Sequence, residues 1–477
     1  MVVLTPQKMT TANAYNTSNL KKIEKFKEKH GHIFNLELNP EEATTLHAQL
    51  AELPEPQVLK ELFDLALKAD SQAKTNQSSS LKPLESTDVL KAERGSDRWK
   101  RWHGRGIEAL KAGQCAVVTL AGGQGTRLGS SAPKGCYSIG LFSDATLFQI
   151  QAERILRLQS LAQMTSPLQW FIMTSQPTYK ETVEFFEKHN FFNLDRSQVI
   201  FFNQGILPAF DLEGKLLLSA KGKLSVAPDG NGGIYKALDR EGVLKSMQQK
   251  GIKYVHMYCV DNCIVKVGDP TFIGACIEAG TDCAAKSVEK SDPSESVGVF
   301  CRRASDNRMI VAEYSELEKS VAEAVDPESG KLVFGEANIA NHFFTVDFLQ
   351  QLVQVELPYH VARKKIPSID PRSGEAITTA GIKLEAFIFD VFERAERPIL
   401  FQVARNDEFA PLKNAPGAPK DSPEYCARLL FDLHRRYLSE AGAKLSEGNY
   451  EISPLITYEG EGLEGYRGVA LSPGLIQ

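Results

Sequence analysis

The chain has 477 residues, which is long enough for two or three folded units of about 150 residues each. Its 55 basic and 60 acidic residues give a formal net charge of −5, and no long lysine–arginine run occurs. The composition therefore favours neither nucleic acid nor an anionic membrane as a partner, and it indicates no obligate protein partner.

Targeting and redox features favour a cytoplasmic location. The N-terminal residues lack the apolar stretch of a signal peptide, and no apolar run approaches the ~18 residues of a membrane span. The eight cysteines form no Cys-x-x-Cys pair and lie mostly in apolar segments, which is typical of reduced, buried thiols.

Residues 1–100 have the pattern of a polar, helical N-terminal region. Asn39-Pro40-Glu41-Glu42 predicts a helix start, with a capping side chain, a proline in the first turn and acids near the positive helix end. Segment 71–80 is poor in apolar residues, which predicts a linker or loop. We find no catalytic motif here and expect a structural or regulatory role.

From about residue 112, short apolar runs alternate with helical segments. The predicted strands are Cys115–Leu120, Leu168–Met173, Gln198–Phe202 and Tyr254–Val260, and the predicted helices are Phe148–Leu161, Thr178–His189 and Tyr235–Lys250. This order predicts an α/β fold with a doubly wound, mostly parallel sheet. Such sheets bind ligands at the carboxyl ends of their strands, so the loops after Leu120 and Val260 are candidate sites.

Beyond residue 390 the pattern changes again. Residues 405–414 resemble an ordered loop, residues 425–442 a helix and residues 443–477 a small β-rich region. We therefore predict a helical N-terminal region at 1–100, a central domain at 101–390 and a small C-terminal α+β domain at 391–477.

The loop at 120–134 reads Leu-Ala-Gly-Gly-Gln-Gly-Thr-Arg-Leu-Gly-Ser-Ser-Ala-Pro-Lys. Its glycines let the backbone approach a ligand and offer successive N–H groups to phosphate oxygens. A P-loop needs its lysine before Ser or Thr, whereas Lys134 precedes Gly135. The dinucleotide frame G-x-G-x-x-G also fails, because Gly129 comes one residue late.

A third pattern, L-x-x-G-x-G-T-R-L-x(4)-P-K, is occupied throughout and resembles the signature loop of sugar-nucleotide pyrophosphorylases. Several later segments resemble the eukaryotic UDP-N-acetylglucosamine pyrophosphorylases, over about 95–460. These segments are 201–205 (FFNQG), 227–233 (APDGNGG), 258–262 (YCVDN), 313–316 (EYSE), 338–344 (NIANHFF), 381–385 (GIKLE) and 409–414 (FAPLKN). The resemblance implies a Rossmann-like central domain.

It also implies a reaction, in which UTP and N-acetylglucosamine 1-phosphate give UDP-N-acetylglucosamine and pyrophosphate. The sugar-phosphate oxygen that attacks the α-phosphorus is already anionic, so positioning and charge neutralisation suffice without a Ser, Cys or His nucleophile. Arg127, whose planar fork suits phosphate, and Lys134 are the expected catalytic residues. From composition alone, each could instead form a surface ion pair.

Asp261 ends a predicted strand, where an acid can hold the ribose or Mg²⁺. One carboxylate plus phosphates and water is a common Mg²⁺ environment, so Mg²⁺ is the expected cofactor. The alternative is a cap or turn aspartate. By resemblance, Lys383 contacts the UTP phosphates, and Lys413 is a third catalytic residue on the sugar-linked phosphate. Composition alone would make both surface lysines.

The resemblance also implies two sets of binding positions. The nucleotide set is Leu120, Ala121, Gly122, Gly123, Lys134, Gln204, Gly230, Asp261 and Lys383, with Gln204 and Gly230 reading uracil. The sugar set is Asn231, Glu313, Tyr314, Asn338 and Lys413. Any of these polar side chains could instead be a satisfied structural group. His342 is expected to be packed rather than to bind a ligand.

Three other functions stay open. A sister enzyme could use glucose 1-phosphate or another hexose 1-phosphate. A UDP-sugar glycosyltransferase could share the sheet, although the strand ending Val-Asp-Asn-Cys lacks the usual Asp-x-Asp metal site. A non-enzymatic nucleotide-sugar sensor is the third. Turnover of N-acetylglucosamine, N-acetylgalactosamine and glucose 1-phosphates tests the first alternative, and pyrophosphate release from UTP separates a pyrophosphorylase from the glycosyltransferase.

Overall fold

The computed structural model describes residues 17–75, 81–314 and 317–477. The chain divides into two units. The helical unit comprises Met1–Gln77, Gln204–Ala237 and Val355–Asp390, and the sheet unit comprises Ser78–Asn203, Leu238–Gln354 and Val391–Gln477. The three-domain boundaries at 1–100, 101–390 and 391–477 stay a prediction.

The helices vary from one turn to five turns. In chain order they are α1 Thr17–His30, α2 Pro40–Glu52, α3 Pro56–Thr75, α4 Asp97–Lys111, α5 Leu147–Leu161, α6 Gln176–Lys188, α7 Ile234–Arg240, α8 Val243–Gln249, α9 Pro270–Ala279, α10 Lys319–Ala322, α11 Val346–Leu352, α12 Arg405–Glu408 and α13 Pro423–Glu440. Within the described residues, no helix combines the length and the apolar character that crossing a membrane requires.

The strands are mostly short. In chain order they are β1 Leu81–Lys82, β2 Val89–Leu90, β3 Cys115–Leu120, β4 Gln169–Thr174, β5 Val199–Asn203, β6 Ile206–Pro208, β7 Phe210–Asp211, β8 Leu218–Ala220, β9 Lys223–Leu224, β10 Val226–Pro228, β11 Tyr254–Cys259, β12 Cys283–Glu289, β13 Val299–Arg303, β14 Met309–Ala312, β15 Glu336–Thr345, β16 His360–Ile369, β17 Ala376–Glu385, β18 Ile399–Gln402, β19 Lys444–Leu445, β20 Tyr450–Ile452, β21 Ala470–Leu471 and β22 Gly474–Ile476.

The sheet unit is built on an eleven-stranded sheet with the order β2-β18-β12-β15-β11-β3-β4-β5, and β13 joins it to β1 and β14. The pairs among β11, β3, β4 and β5 are parallel, whereas β15 runs antiparallel to both β11 and β12. Every residue of β3 and β4 is buried, as expected for parallel strands covered on both faces. The predicted mostly parallel α/β sheet is confirmed.

The strand order reverses at β3. From β3 the chain continues to β4 and β5 on one side, and β11 then pairs with the other side of β3. The last paired residues are Cys259 and Leu120, so the loops that leave these two strands start side by side. Ligands of open α/β sheets bind at such a switch point.

Helices pack closely on this sheet. A Cβ at Gly274 would lie 1.8 Å from the carbonyl oxygen of Trp102, so only glycine allows α9 to approach α4 so closely. Trp170, fully buried on β4, donates from Nε1 to the Thr119 hydroxyl at 2.7 Å. His342 on β15 is also fully buried, and burial lowers its pKa to about 3. As predicted, it is a packed residue.

The helical unit packs α1–α3 against strands of the same unit. Its apolar core includes Ile23, Phe26 and Phe63 from the helices, with Phe210 and Ile382 from β7 and β17. The three-stranded sheet β16-β17-β7 is antiparallel. It supplies the apolar face that covers the helices.

The structure confirms the predicted start of α2 and corrects the predicted linker that follows α3. Asn39 caps α2 with the predicted capping box. The predicted linker at 71–80 is wrong in its first half, because α3 continues to Thr75, whereas residues 76–80 lie outside the described residues.

The single helix predicted at 235–250 is also wrong. Gly242 has φ +72°, which breaks the segment into α7 and α8. The predicted helix at 425–442 is confirmed as α13. The predicted β-rich end is confirmed as β19–β22, which form two parallel pairs.

A group of buried charges lies within the sheet unit. The Lys286 ammonium is fully buried and contacts Asp269 and Glu408. Lys266 lies 3.4 Å from Glu408 and 3.1 Å from Glu459. Burial alone raises the pKa of Asp269, but the charges of Lys286 and Lys266 outweigh it and hold that pKa well below its usual range. Every carboxylate in this group therefore has a cationic partner.

Candidate active site

The glycine-rich loop leaves the carboxyl end of β3 and is anchored at both ends. The Ala121 N–H donates to Met173 O at 2.8 Å, and the Ser175 hydroxyl donates to Gly122 O at 2.7 Å. The Lys134 N–H closes the loop on Gly123 O at 3.2 Å. The carbonyl groups of Gly122 and Gly123 are therefore engaged with protein.

Some backbone N–H groups of the glycine-rich loop, unlike the carbonyl groups of Gly122 and Gly123, are not bonded to the described part of the protein. The N–H groups of Gly122, Gly123 and Gln124 find no acceptor among the residues that the structure describes. Gly123 and Gln124 are also exposed. Consecutive N–H groups that face solvent can bind phosphate oxygens, as the sequence predicted.

The two basic residues of the loop differ in setting. Arg127 is exposed on the one-turn helix Thr126–Leu128 and makes no ion pair with any described residue. The Lys134 side chain is only 20% exposed, and its Nζ lies 3.4 Å from Asp261 Oδ2. Lys134 therefore does form an ion pair, but the pair is partly buried rather than at the surface.

Asp261 follows β11 and is therefore next to the glycine loop. The Val260 N–H donates to Leu120 O at 3.1 Å, which holds the two strand ends together. The Asp261 carbonyl accepts from the Leu412 N–H at 2.8 Å, one residue before Lys413. Because of these contacts, the three sequence-distant segments that carry Lys134, Asp261 and Lys413 meet within the sheet unit.

The pKa of the Cys259 thiol shows which charged groups lie near the end of β11. Burial raises its pKa to about 12, Asp261 adds to the rise, and the ammonium groups of Lys413 and Lys134 oppose it. Asp421 also faces Lys413: burial raises the pKa of this carboxyl, and the Lys413 charge counteracts that rise. Two ammonium groups and two carboxylates thus surround the end of β11.

Three predicted sugar-site residues lie near one another around Gly298. The Asn338 N–H donates to Gly298 O at 2.9 Å, and a Cβ built on Gly298 would lie 3.0 Å from Glu313 Oε1. Tyr314 follows Glu313 and is 51% exposed. Gly298 therefore contacts the Asn338 backbone, and a side chain at this position would crowd the Glu313 carboxylate.

The predicted base-reading residues belong to the helical unit. Gln204 is buried, and its neighbour Gly205 accepts from the Asp229 N–H at 3.2 Å. Gly230 has φ +93°, and a Cβ there would lie 2.3 Å from Ala386 O, so only glycine fits. Gln204 and Gly230 are therefore brought together by the Gly205–Asp229 contact.

Asn231 and Lys383 are in the same unit. Asn231 Oδ1 accepts from the Ile388 N–H at 2.9 Å, so this side chain already has one structural partner. Lys383 is half-buried on β17, opposite Ala362 of β16 and three residues before Ala386. Ala386 in turn binds the Asp229 and Gly232 backbone, which links Lys383 to the Gly230 turn.

Sequence reasoning missed three residues that shape the site. Ser175 fixes Gly122, Asn262 binds the segment before Lys413, and Asp421 accepts from the Lys413 N–H at 2.8 Å. Ser175 stands directly after β4, at the same edge of the sheet as the glycine loop, and that position was the one available signal. Asn262 ends the family-like segment 258–262 but was given no role there, and Asp421 carried no signal.

A glycine-rich loop at the switch point of a mostly parallel sheet, with basic residues beside it, is the arrangement expected of a nucleotidyltransferase of the α/β class. Residues 57–459 match the family model for UTP–glucose-1-phosphate uridylyltransferase. The chain belongs to this family.

Its relatives support the resemblance seen in the motifs. The chain is 44% identical over 471 residues to the UDP-N-acetylhexosamine pyrophosphorylase-like protein 1 of Xenopus tropicalis, which covers 91% of each protein. It is 42% identical over 453 residues to the UDP-N-acetylglucosamine diphosphorylase 2 of Arabidopsis thaliana, covering 91% of this chain and 88% of the relative.

A solved structure agrees with the fold. The uridine diphosphate N-acetylglucosamine pyrophosphorylase of Trypanosoma brucei superposes with a TM-score of 0.83 at 31% identity, covering 94% of this chain and 95% of that one.

Proposed function

We propose that this protein transfers a uridylyl group from UTP to N-acetylglucosamine 1-phosphate, giving UDP-N-acetylglucosamine and pyrophosphate. The observation that carries the proposal is the meeting of Lys134, Asp261 and Lys413 beside the open amide groups of the glycine loop. This arrangement supplies donors and positive charge for a triphosphate and a sugar phosphate. The names of the relatives support the same substrates.

In this proposal the protein acts by binding and by charge neutralisation. The loop amides and Lys134 hold the UTP phosphates, and Arg127 stabilises charge on the transferring and leaving groups. Lys413 holds the phosphate of the sugar and Lys383 a phosphate of UTP. The attacking oxygen is already ionised, so no general base is required.

Recognition is assigned to the remaining polar residues. Gln204, Gly230 and the backbone of Leu120–Gly123 are proposed to read the uracil edge. The proposed sugar contacts are Asn231, Glu313, Tyr314 and Asn338, together with Lys413. The cytoplasm is the proposed location, supported by eight free thiols, which persist in reducing compartments.

A divalent ion, proposed as Mg²⁺, is compatible with Asp261. The carboxylate is partly exposed, and Oδ1 accepts no hydrogen bond from the described residues, whereas Oδ2 faces Lys134. One carboxylate with substrate phosphates and water is a usual Mg²⁺ environment. When bound, the ion supplies charge neutralisation on the phosphate oxygens.

The direct test is pyrophosphate release from UTP with a panel of sugar 1-phosphates. We expect the highest kcat/KM with N-acetylglucosamine 1-phosphate and UTP, and little release with other nucleoside triphosphates. The panel includes N-acetylgalactosamine 1-phosphate and glucose 1-phosphate, because the family description names glucose. Preference for glucose 1-phosphate would overturn the proposed sugar, and absence of release with every sugar would overturn the proposed reaction.

Asp261→Asn is expected to lower kcat by about 100-fold and to shift the Mg²⁺ concentration needed for half-maximal rate, because the amide carries no charge for the ion. The exposed Asp432→Asn on α13 is the matched control and should behave as the native enzyme. Full activity with an unchanged Mg²⁺ response would exclude both the metal role and the ribose role of Asp261.

A further inference from the structure

Asn262 has a buried side-chain amide whose nitrogen and oxygen both form hydrogen bonds with one segment that is distant in sequence. It is 3% exposed and follows Asp261 directly. Its Nδ2 donates to Glu408 O at 2.6 Å, and its Oδ1 accepts from the Ala410 N–H at 3.0 Å. The amide therefore binds the backbone on either side of Phe409.

Backbone contacts continue this pairing on both sides of Asn262. The Leu412 N–H donates to Asp261 O at 2.8 Å, and the Cys263 N–H donates to Ala410 O at 3.0 Å. Pro411 stands opposite Asn262 in the non-hydrogen-bonded pair of this bridge, so its missing N–H removes no bond between the two segments. The Asn262 side chain adds two hydrogen bonds to this short pairing.

The paired segment leads directly to Lys413. The Lys413 N–H donates to Asp421 O at 2.8 Å, and the Lys413 ammonium lies 5.9 Å from the centre of the Phe409 ring. Lys413 is itself exposed and makes no ion pair with a described residue. Its position is therefore fixed through the backbone of 408–412 and through Asp421.

We propose that Asn262 is a positioning residue for uridylyl transfer, whose side-chain amide sets the register of the Lys413 segment against Asp261. The inference rests on the proposed function, in which Lys413 holds the phosphate of the sugar. Only an amide offers a donor and an acceptor at this separation: alanine removes both, and aspartate keeps the acceptor alone. A shift of one residue position would move Lys413 away from Asp261 and Lys134.

The test is a double-mutant cycle on uridylyl transfer with UTP and N-acetylglucosamine 1-phosphate. We expect Asn262→Ala to lower kcat by about 10- to 100-fold through misplacement and Lys413→Ala to lower it by about 100-fold. The double variant should be about as slow as Lys413→Ala, because Asn262 acts through Lys413. Asn341→Ala, an equally buried asparagine that binds His256, should combine multiplicatively with Lys413→Ala.

The possible results separate the two levels of the hypothesis. Near-normal turnover in Lys413→Ala would remove Lys413 from the proposed function and would overturn the inference with it. If Lys413→Ala is slow, and adding Asn262→Ala lowers its kcat by the same factor as in the native enzyme, the positioning role alone would be overturned. Asn262→Asp, which preserves size and the acceptor, carries the same expectation if the alanine variant is not recovered folded.

Discussion

Replacing Arg127 with alanine is expected to slow the chemical step of uridylyl transfer by about 100-fold or more, the effect of losing an important transition-state donor. Arg127 is exposed on a one-turn helix whose neighbour Leu128 is buried, and it has no ion-pair partner among the described residues. Its removal therefore breaks no ion pair with the described residues. A single-turnover measurement, with enzyme in excess over UTP and with saturating N-acetylglucosamine 1-phosphate, reports the step directly.

Two further variants test whether the loss of rate is specific to the guanidinium group of Arg127. Arg127→Lys keeps the charge but loses the planar fork, so its rate should lie between those of the native and alanine enzymes. Arg372→Ala removes another exposed arginine, from the turn between β16 and β17, and should leave the rate unchanged. Native-like turnover in Arg127→Ala would exclude Arg127 from the mechanism.

Replacing Lys286 with alanine is expected to destabilise the protein by about 3–5 kcal/mol, because it leaves buried carboxylates without their cation. Lys286 is fully buried, contacts Asp269 and Glu408, and lies 5.4 Å from the centre of the Phe272 ring. Lys266 also faces Glu408 but cannot neutralise both acids. Urea unfolding followed by tryptophan fluorescence measures the loss.

The matched control is Lys60→Ala on the exposed face of α3. Lys60 pairs with Asp64 at 2.5 Å, but both side chains are more than half exposed, so the expected loss is about 0.5 kcal/mol or less. An equal effect of the two variants would show that the buried charges contribute no more than a surface pair. Recovery of stability on also replacing Asp269 and Glu408 with neutral residues would support the charge explanation.

Strands β3, β4, β5 and β11 could be predicted because each is a short apolar run that alternates with helical segments along the chain. β15 could not. It spans Glu336–Thr345, and its antiparallel pairing with β11 and β12 depends on contacts between residues far apart in the chain. The break at Gly242 was missed for another reason, since an isolated glycine inside a helical pattern is often tolerated.

The site residues likewise divide into those that the local sequence predicted and those that depend on distant contacts. The glycine loop is local, so its residues and their spacing predicted a phosphate site. Lys413 gave no such signal: by composition it is a surface lysine, and only the family resemblance singled it out. Asn262 was missed because its importance depends on the particular backbone that it meets, Glu408 and Ala410, about 150 residues later in the sequence.

The discontinuity of the helical unit has a consequence for biosynthesis. The apolar faces of α1–α3 are covered by Phe210 and, much later in the chain, by Ile382 and Leu384. At about 5–20 residues per second, roughly 15 to 60 s separate the synthesis of Phe63 from that of Leu384. During that interval the first helices leave the ribosome without the strands that complete their core, so their apolar faces stay uncovered until the rest of the chain is made.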